Sequence, residues 1–573
     1  MKHRYSLVVC CFVFLALVFT RTAIPKYTSH KQLQVTTWDA FGYYMYLPSI
    51  FIYHDYKKLN WLKEKDKLYE LTGGNGWQAI QETNGNYVFK YLGGVAILEM
   101  PFFFVGHFAA KVFNYPQDGF SLPYQYSLAY GILIYCFLAL LLLRKILLQY
   151  FTDLVTAFTL LNLCLVTNFI QYAAVDNALS HAYIFLLYCA LLFSTVKWHE
   201  QPKIIWAALI GWLIGEAVIC RPTEAIMLLI PMFWNTQNKM ASLEKWHLVL
   251  KNKAHVFIAF VFGILGILPQ LIYWKLTTGS FVYDVGSKWQ FFNPWFRVLF
   301  GFEKGWFVYT PITLFFILGL FFLKKFPFKK SVLWFCLLNI WIVISWSDWH
   351  YGGSYSTRAL VQCYPVFALP FAACVEMVNK SKWKIGFYLI VGLLFFVNCF
   401  QIWQYNKGIL LYDGMNKTYY RHIFLNPKPS ALEFSLIDHQ EFISCEQDYF
   451  KHILSNNFQS TSFKSNQPFI EQAFVLEPKK EYWLKLETRM VAPNHLWNNF
   501  LKATVTNGKN NKEVNIRLFR PMIKEEQANE YAFYLKLPKH FVDKTILTLF
   551  VNSKDDFRGN IRSCKIQLLK IKE

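Results

Sequence analysis

The sequence predicts a polytopic α-helical membrane protein with about 11 transmembrane helices and a C-terminal extracytoplasmic β-sandwich-like domain. Three observations carry this expectation. Of 573 residues, 55% are apolar and only 16% charged, whereas soluble domains carry roughly 25% charged residues. The basic excess, 58 Lys and Arg against 36 Asp and Glu, sits in short clusters between apolar runs rather than along one polar face, which argues against a nucleic-acid binder. From about residue 405 the long apolar runs stop and alternating polar and apolar positions replace them.

A bilayer core takes about 20 apolar residues per helix. The first run, Tyr5–Thr20, follows Lys2, His3 and Arg4. Thr20-Arg21-Thr22-Ala23 is a poor small-residue cleavage site, so the run is read as a retained helix with a cytoplasmic N-terminus. Further runs are Tyr124–Leu143, Leu154–Ala174, Ser180–Val196, Ile204–Ile219, Glu224–Trp234, Val256–Leu276, Pro311–Leu323, Val332–Ser345, Ala359–Val375 and Ile385–Trp403. Basic residues gather in alternate loops, at Arg144 and Lys145, Lys197 and Lys203, Lys239 to Lys253, Lys324 to Lys330 and Lys380 to Lys384, as cytoplasmic loops do. This alternation requires Ile204–Trp234 to be a hairpin turning at Arg221-Pro222-Thr223, and it places the C-terminus outside. Residues 22–123 include a large outer loop. Its apolar stretch Tyr91–Phe113, interrupted by Glu99, Pro101 and His107, is expected to form juxtamembrane helices in the interface. Residues 1–404 then form a transmembrane domain, expected in the bacterial inner membrane, and 405–573 a soluble periplasmic β-rich domain.

In that second domain Glu481–Val491, Lys512–Phe519 and Thr545–Val551 alternate with the period of half-buried strands, and Asn507-Gly508 and Arg558-Gly559-Asn560 are expected turns. Ten of the 12 cysteines lie in or beside apolar spans, where buried small hydrophobes are expected. Cys445 and Cys564 fall in the outer domain, where an oxidising compartment would permit a disulfide.

Charges at membrane depth are costly, and those retained usually line a cavity. On this topology Asp39, Lys90, Asp176, Arg221, Lys304, Asp348, His350 and Arg358 share the outer face. Acids could activate an acceptor hydroxyl and cations could hold a phosphate leaving group, a combination suited to sugar transfer from a lipid phosphate. Each has a plainer alternative. Asp176 could cap the helix that follows it. Arg221 could snorkel to headgroups, and Lys90 could be an ordinary interfacial lysine. Gly352-Gly353 beside Arg358 suits either backbone approach to a substrate or a flexible turn. Asp348 and His350 offer metal-compatible ligand atoms, which makes a divalent ion the one cofactor the sequence suggests.

At these residues the chain resembles the GT-C superfamily of integral membrane glycosyltransferases, relatives of protein O-mannosyltransferases and lipid A aminoarabinose transferases. Asp39, followed by Tyr43-Tyr44-x-Tyr46-Leu47-Pro48, is similar to the family's first acid after the first helix. Asp176 is similar to its second acid, Lys90 ahead of Gly93-Gly94 to its basic residue before the juxtamembrane helix, and Arg221-Pro222 to its basic turn. The segment at Lys90 departs from the aminoarabinose group in lacking a double proline. The resemblance covers about residues 1–400. It implies a polyprenyl-phosphate-linked sugar as donor, a glycan, lipid or protein as acceptor, and transfer with inversion. Asp39 would be the general base, with Asp176 also catalytic. Lys90, Arg221, Arg358 and Lys304 would bind the donor phosphate, and Asp348 and His350 an acceptor or a metal. A lipid or solute transporter, or a flippase, is the rival class; the absence of an evident internal repeat weighs against it.

Overall fold

The computed structural model describes residues 3–26, 32–444, 450–491, 499–518, 528–554 and 556–571. It divides into two compact units, Met1–Ile402 and Trp403–Glu573. Cys445 lies outside the described residues, and with it the disulfide that an oxidising compartment would permit to Cys564.

The first unit is helical. It opens with α1 (Arg4–Ala23), then the short α2 (Asp39–Tyr44), α3 (Tyr46–Phe51) and α4 (Leu62–Tyr69), and a two-stranded hairpin of β1 (Ala79–Gln81) and β2 (Tyr87–Phe89). There follow α5 (Gly94–Val112), α6 (Leu122–Leu147), α7 (Asp153–Leu165), a π-helical turn at Gln171–Val175, α8 (Ser180–Glu200) and α9 (Ile204–Cys220). A 3₁₀ turn at Pro222–Leu228 leads into α10 (Leu229–Phe233), α11 (Lys239–Lys251) and α12 (Lys253–Thr278). The short α13 (Arg297–Phe300), α14 (Trp306–Tyr309) and α15 (Thr313–Gly319) precede α16 (Lys329–Ser345), α17 (Tyr364–Asn379) and α18 (Lys384–Asn406).

Among the described residues, six helices are long and apolar enough to cross a membrane: α1, α5, α6, α8, α12 and α18. Five of them coincide with expected spans. The other expected spans fall on shorter helices, some of them interrupted by irregular segments: the π turn before Asp176, the 3₁₀ turn after Arg221 and another at Leu320–Phe322. The sixth, α5, occupies the stretch expected to form juxtamembrane helices. It is one continuous helix, and both its flanks are bonded to the segment before it. The Lys90 amide donates to Gln78 O at 2.9 Å. Beyond its far end, Asp118 accepts from the Tyr69 hydroxyl at 2.6 Å and Gly119 O from the Tyr44 hydroxyl at 2.5 Å.

Long-range polar contacts fix the irregular parts. The first amides of α1 lack intrahelical partners, and Asp153 at the start of α7 supplies them, accepting from Tyr5 N at 2.9 Å and Ser6 N at 3.1 Å. At the other end of α1, buried Arg21 donates to Val175 O at 2.9 Å and Ala174 O at 3.3 Å, carbonyls of the π turn. Helices α9 and α12 pack through small residues. A Cβ on Gly211 or Gly215 would collide with the backbone carbonyls of Ala259 and Gly263, so only glycine permits this approach.

The second unit begins with the end of α18, α19 (Lys417–Ile423) and α20 (Ala431–Ser435), then, among the described residues, eight strands. These are β3 (Phe450–Lys464), β4 (Pro468–Leu476), β5 (Tyr482–Val491), β6 (Phe500–Asn507), β7 (Asn510–Arg517), β8 (Asn529–Lys536), β9 (Asp543–Asn552) and β10 (Arg558–Ile571). They form two antiparallel four-stranded sheets, ordered β3-β10-β5-β8 and β4-β9-β6-β7. Alternate residues of both, among them Leu484, Leu486, Ile566, Leu501, Leu547 and Leu549, contribute to one apolar cluster. Arg558-Gly559-Asn560, expected as a turn, opens β10 instead: Asn560 pairs with both Ser462 and Val491.

Candidate active site

The residues around Asp39 are shaped by the backbone before them. Trp38 has φ 53°, ψ −124°, a conformation costing on the order of 1–3 kcal/mol that persists only where the surroundings impose it. Its amide donates to Leu71 O at 2.8 Å, its carbonyl accepts from Gln78 Nε2 at 3.3 Å, and its indole lies against Gly73, where any Cβ would collide with it. Asp39 then opens α2 with a fixed direction. Its Oδ2 accepts from Arg358 Nη2 at 2.6 Å and its Oδ1 from the Tyr91 hydroxyl at 2.9 Å. Burial pushes the Tyr91 hydroxyl well above its ordinary pKa and the Asp39 charge adds to this, so Tyr91 remains a neutral donor. Burial works against the Arg358 charge, but Asp39 outweighs it and raises the guanidinium's pKa.

Arg358 is delivered by the loop between α16 and α17. Tyr351, Gly352 and Ser356 all have positive φ, and three contacts hold that contorted path. Lys304, buried, donates from Nζ to Gly352 O and Ser354 O, each at 3.0 Å. Thr357 Oγ1 lies 2.8 Å from Val298 O and 2.9 Å from Lys304 O, so its one proton is shared between the two carbonyls. The Tyr172 hydroxyl donates to Tyr355 O and accepts from Tyr355 N, both at 2.8 Å.

These elements surround a cavity of about 600 Å³. Asp39, Lys90, Arg221, Asp348 and Arg358 line it, together with the aromatic side chains of Trp38, Trp77, Trp274 and Trp346. Arg221 follows α9 and donates from Nη1 to Gln362 Oε1 at 3.3 Å. Lys90 places its Nζ 5.1 Å from the centre of the Trp77 ring. Among the described residues neither cation makes an ion pair with a carboxylate, in contrast to Arg358.

Three expected site residues do not line the cavity. Asp176 pairs with Lys26 and accepts from Gln171 Nε2 at 2.9 Å. Burial opposes its charge, but Lys26, the Gln171 amide and Arg358 hold its carboxyl below the usual range. Lys304 is committed to two loop carbonyls, which places it under the Gly352–Ser354 backbone rather than beside a donor phosphate. His350 spends both ring nitrogens: Nε2 lies 2.9 Å from Asp348 Oδ1, and Nδ1 accepts from the Gly352 amide at 3.1 Å. That leaves no imidazole lone pair for a metal. No group of three or more His, Cys, Asp or Glu side chains suited to a metal occurs among the described residues.

Sequence reasoning passed over Tyr91, Gln362 and Glu224, all of which line the cavity. Two weak signals existed: Tyr91 adjoins Lys90, and Gln362 stands four residues after Arg358. Glu224 was assigned to the start of an apolar span.

No family model matches the chain, and no curated protein matches it. Solved structures do. The chain is similar to the Archaeoglobus fulgidus oligosaccharyltransferase in its apo form, at 12% identity and a TM-score of 0.44, over 74% of this chain and 58% of that one. It is similar also to ArnT from Cupriavidus metallidurans bound to undecaprenyl phosphate, at 12% identity and a TM-score of 0.43, over 73% and 68%. The chain thus spans little more than half the length of the oligosaccharyltransferase.

Proposed function

We propose that the protein is a glycosyltransferase of the bacterial inner membrane, N-terminus cytoplasmic and C-terminal domain periplasmic. It takes a hexosyl or pentosyl group from a polyprenyl-phosphate donor and passes it to an extracytoplasmic glycan, lipid or protein acceptor. One observation supports this above the others. An oriented carboxylate, Asp39, shares a cavity with Arg221 and Lys90, two cations that make no ion pair with a carboxylate among the described residues. The volume falls in the range of small-molecule sites, and the tryptophans offer apolar faces to a sugar ring.

Asp39 acts as general base. The acceptor oxygen attacks the anomeric carbon while its proton passes to the Asp39 carboxylate. The bond from that carbon to the phosphate oxygen breaks, and its electron pair leaves with the lipid phosphate. A single displacement inverts the anomeric centre. A phosphate leaving group departs as a stable anion, so no strong acid is needed, and Arg221 and Lys90 offset the charge that develops. Arg358 and Tyr91 hold the base in direction. Asp176 serves as a positioning residue for the segment that bears Tyr172, and Lys304 for the loop that bears Arg358.

The test is to incubate the purified protein with a panel of polyprenyl-phosphate sugars and follow release of the lipid phosphate. Asp39→Asn is expected to lower kcat by about 10²–10⁴-fold. Wild-type transfer by that variant would remove Asp39 from the mechanism. Movement of intact lipid without phosphate release would favour a flippase instead.

A further inference from the structure

Building on the donor-phosphate role proposed for Arg221, we infer that Gln362 is the positioning residue of the anion subsite, a neutral acceptor that orients Arg221 without cancelling its charge. A chain of hydrogen bonds along the cavity wall supports this. The Tyr188 hydroxyl donates to Glu224 Oε2 at 2.5 Å, and Gln362 Nε2 donates to Glu224 Oε1 at 2.5 Å. On its other side Gln362 Oε1 accepts from Arg221 Nη1 at 3.3 Å and lies 2.8 Å from His181 Nδ1. Gln362 and Glu224 are both buried.

A guanidinium can only donate, so Arg221 fixes the amide with its oxygen inward and its nitrogen toward Glu224. The same oxygen, an acceptor only, places the His181 proton on Nδ1. Carboxylate, amide and cation are therefore locked in one arrangement by groups from α8 (Tyr188 and His181), the turn after α9 (Arg221 and Glu224) and the segment just before α17 (Gln362).

A carboxylate at position 362 would direct Arg221 equally well but neutralise it, as Asp39 does to Arg358 at 2.6 Å. An amide gives the direction and leaves the charge. The cavity's two arginines are thereby divided: Arg358 serves the base and Arg221 serves an anion. Glu224 attracts Arg221 through space, but among the described residues no ion pair joins the two side chains, and the Gln362 amide bonds to both.

The test uses the full chain in lipid nanodiscs and undecaprenyl phosphate as probe, with thermal melting recorded for each variant. Gln362→Glu is expected to weaken binding about 10- to 100-fold, the scale of one charge-assisted hydrogen bond. Gln362→Met, which loses direction but adds no charge, is expected to weaken it less. The double variant Glu224→Gln with Gln362→Glu rebuilds the inner hydrogen bond and moves the negative charge one side chain closer to Arg221. It is expected to melt like wild type and still bind weakly, a result that loss of packing would not produce. Wild-type binding by the double variant, or a larger loss in Gln362→Met than in Gln362→Glu, would overturn the role of Gln362 while Arg221→Ala still weakened binding. Wild-type binding by Arg221→Ala would overturn the phosphate role itself, and the Gln362 proposal with it.

Discussion

The pairing of Asp39 with Arg358 makes a prediction that separates two roles for the arginine. The nitrogen–oxygen distance is 2.6 Å, and the side chains are 10% and 23% exposed for Arg358 and Asp39. At an effective dielectric constant near 20, two charges so placed attract by about 6 kcal/mol before desolvation. The net value of such a bond is about 1.5–3 kcal/mol. If Arg358 acts through Asp39, then Arg358→Gln should lower kcat about 10- to 150-fold and change the donor KM less than about threefold. Once Asp39 is asparagine there is no carboxylate left to orient. The double variant Asp39→Asn, Arg358→Gln should then be no slower than Asp39→Asn alone, a coupling of about 1.5–3 kcal/mol. The assay is lipid-phosphate release across a donor titration in wild type, both single variants and the double. Additivity within about 0.5 kcal/mol, or a donor KM that rises with Arg358→Gln, would refute this and return Arg358 to the phosphate.

Lys304→Gln removes the charged donor shared by Gly352 O and Ser354 O and should lower the melting temperature while leaving donor KM within about threefold of wild type; a selective rise in KM would place Lys304 at the phosphate after all. Gly211→Leu forces α9 away from α12 and should cost about 1–3 kcal/mol or more in thermal or denaturant unfolding, with undiminished stability refuting the close approach. In the second unit, desolvation opposes the Glu441 charge, but His439, Lys512 and the Lys536 amide hold its pKa at about 2 against an ordinary value of 4.5. The folded-state value is depressed, so its contribution of about 3 kcal/mol is complete above pH 4.5 and is lost as pH falls toward 2. Glu441→Gln should therefore lower stability at pH 7 and flatten its acid dependence between those limits, as followed by melting of the full chain.

Much of the architecture was legible because it obeys short-range rules. Apolar run length located α1, α6, α8, α12 and α18, since a bilayer demands about 20 such residues in a row. Alternation at Tyr482–Val491 and Asp543–Asn552 marked strands, because neighbouring side chains there point to opposite faces. The expected turn at Arg558–Asn560 was misplaced: glycine and asparagine suggest a turn, but pairing with β3 and β5 on both sides carries the strand through them.

Residue type and position along the chain are enough to show which charges stand beside apolar runs, and so which residues are candidates. The partners each one meets are set by the folded arrangement. Asp39 and Arg358 are separated by more than 300 residues yet meet at hydrogen-bond distance. Lys304, indistinguishable from Lys90 as a lone lysine in an outer loop, faces backbone carbonyls while Lys90 faces the cavity. Charge is a property of the residue, but whether it is satisfied depends on partners that distant segments supply. No local pattern encodes that.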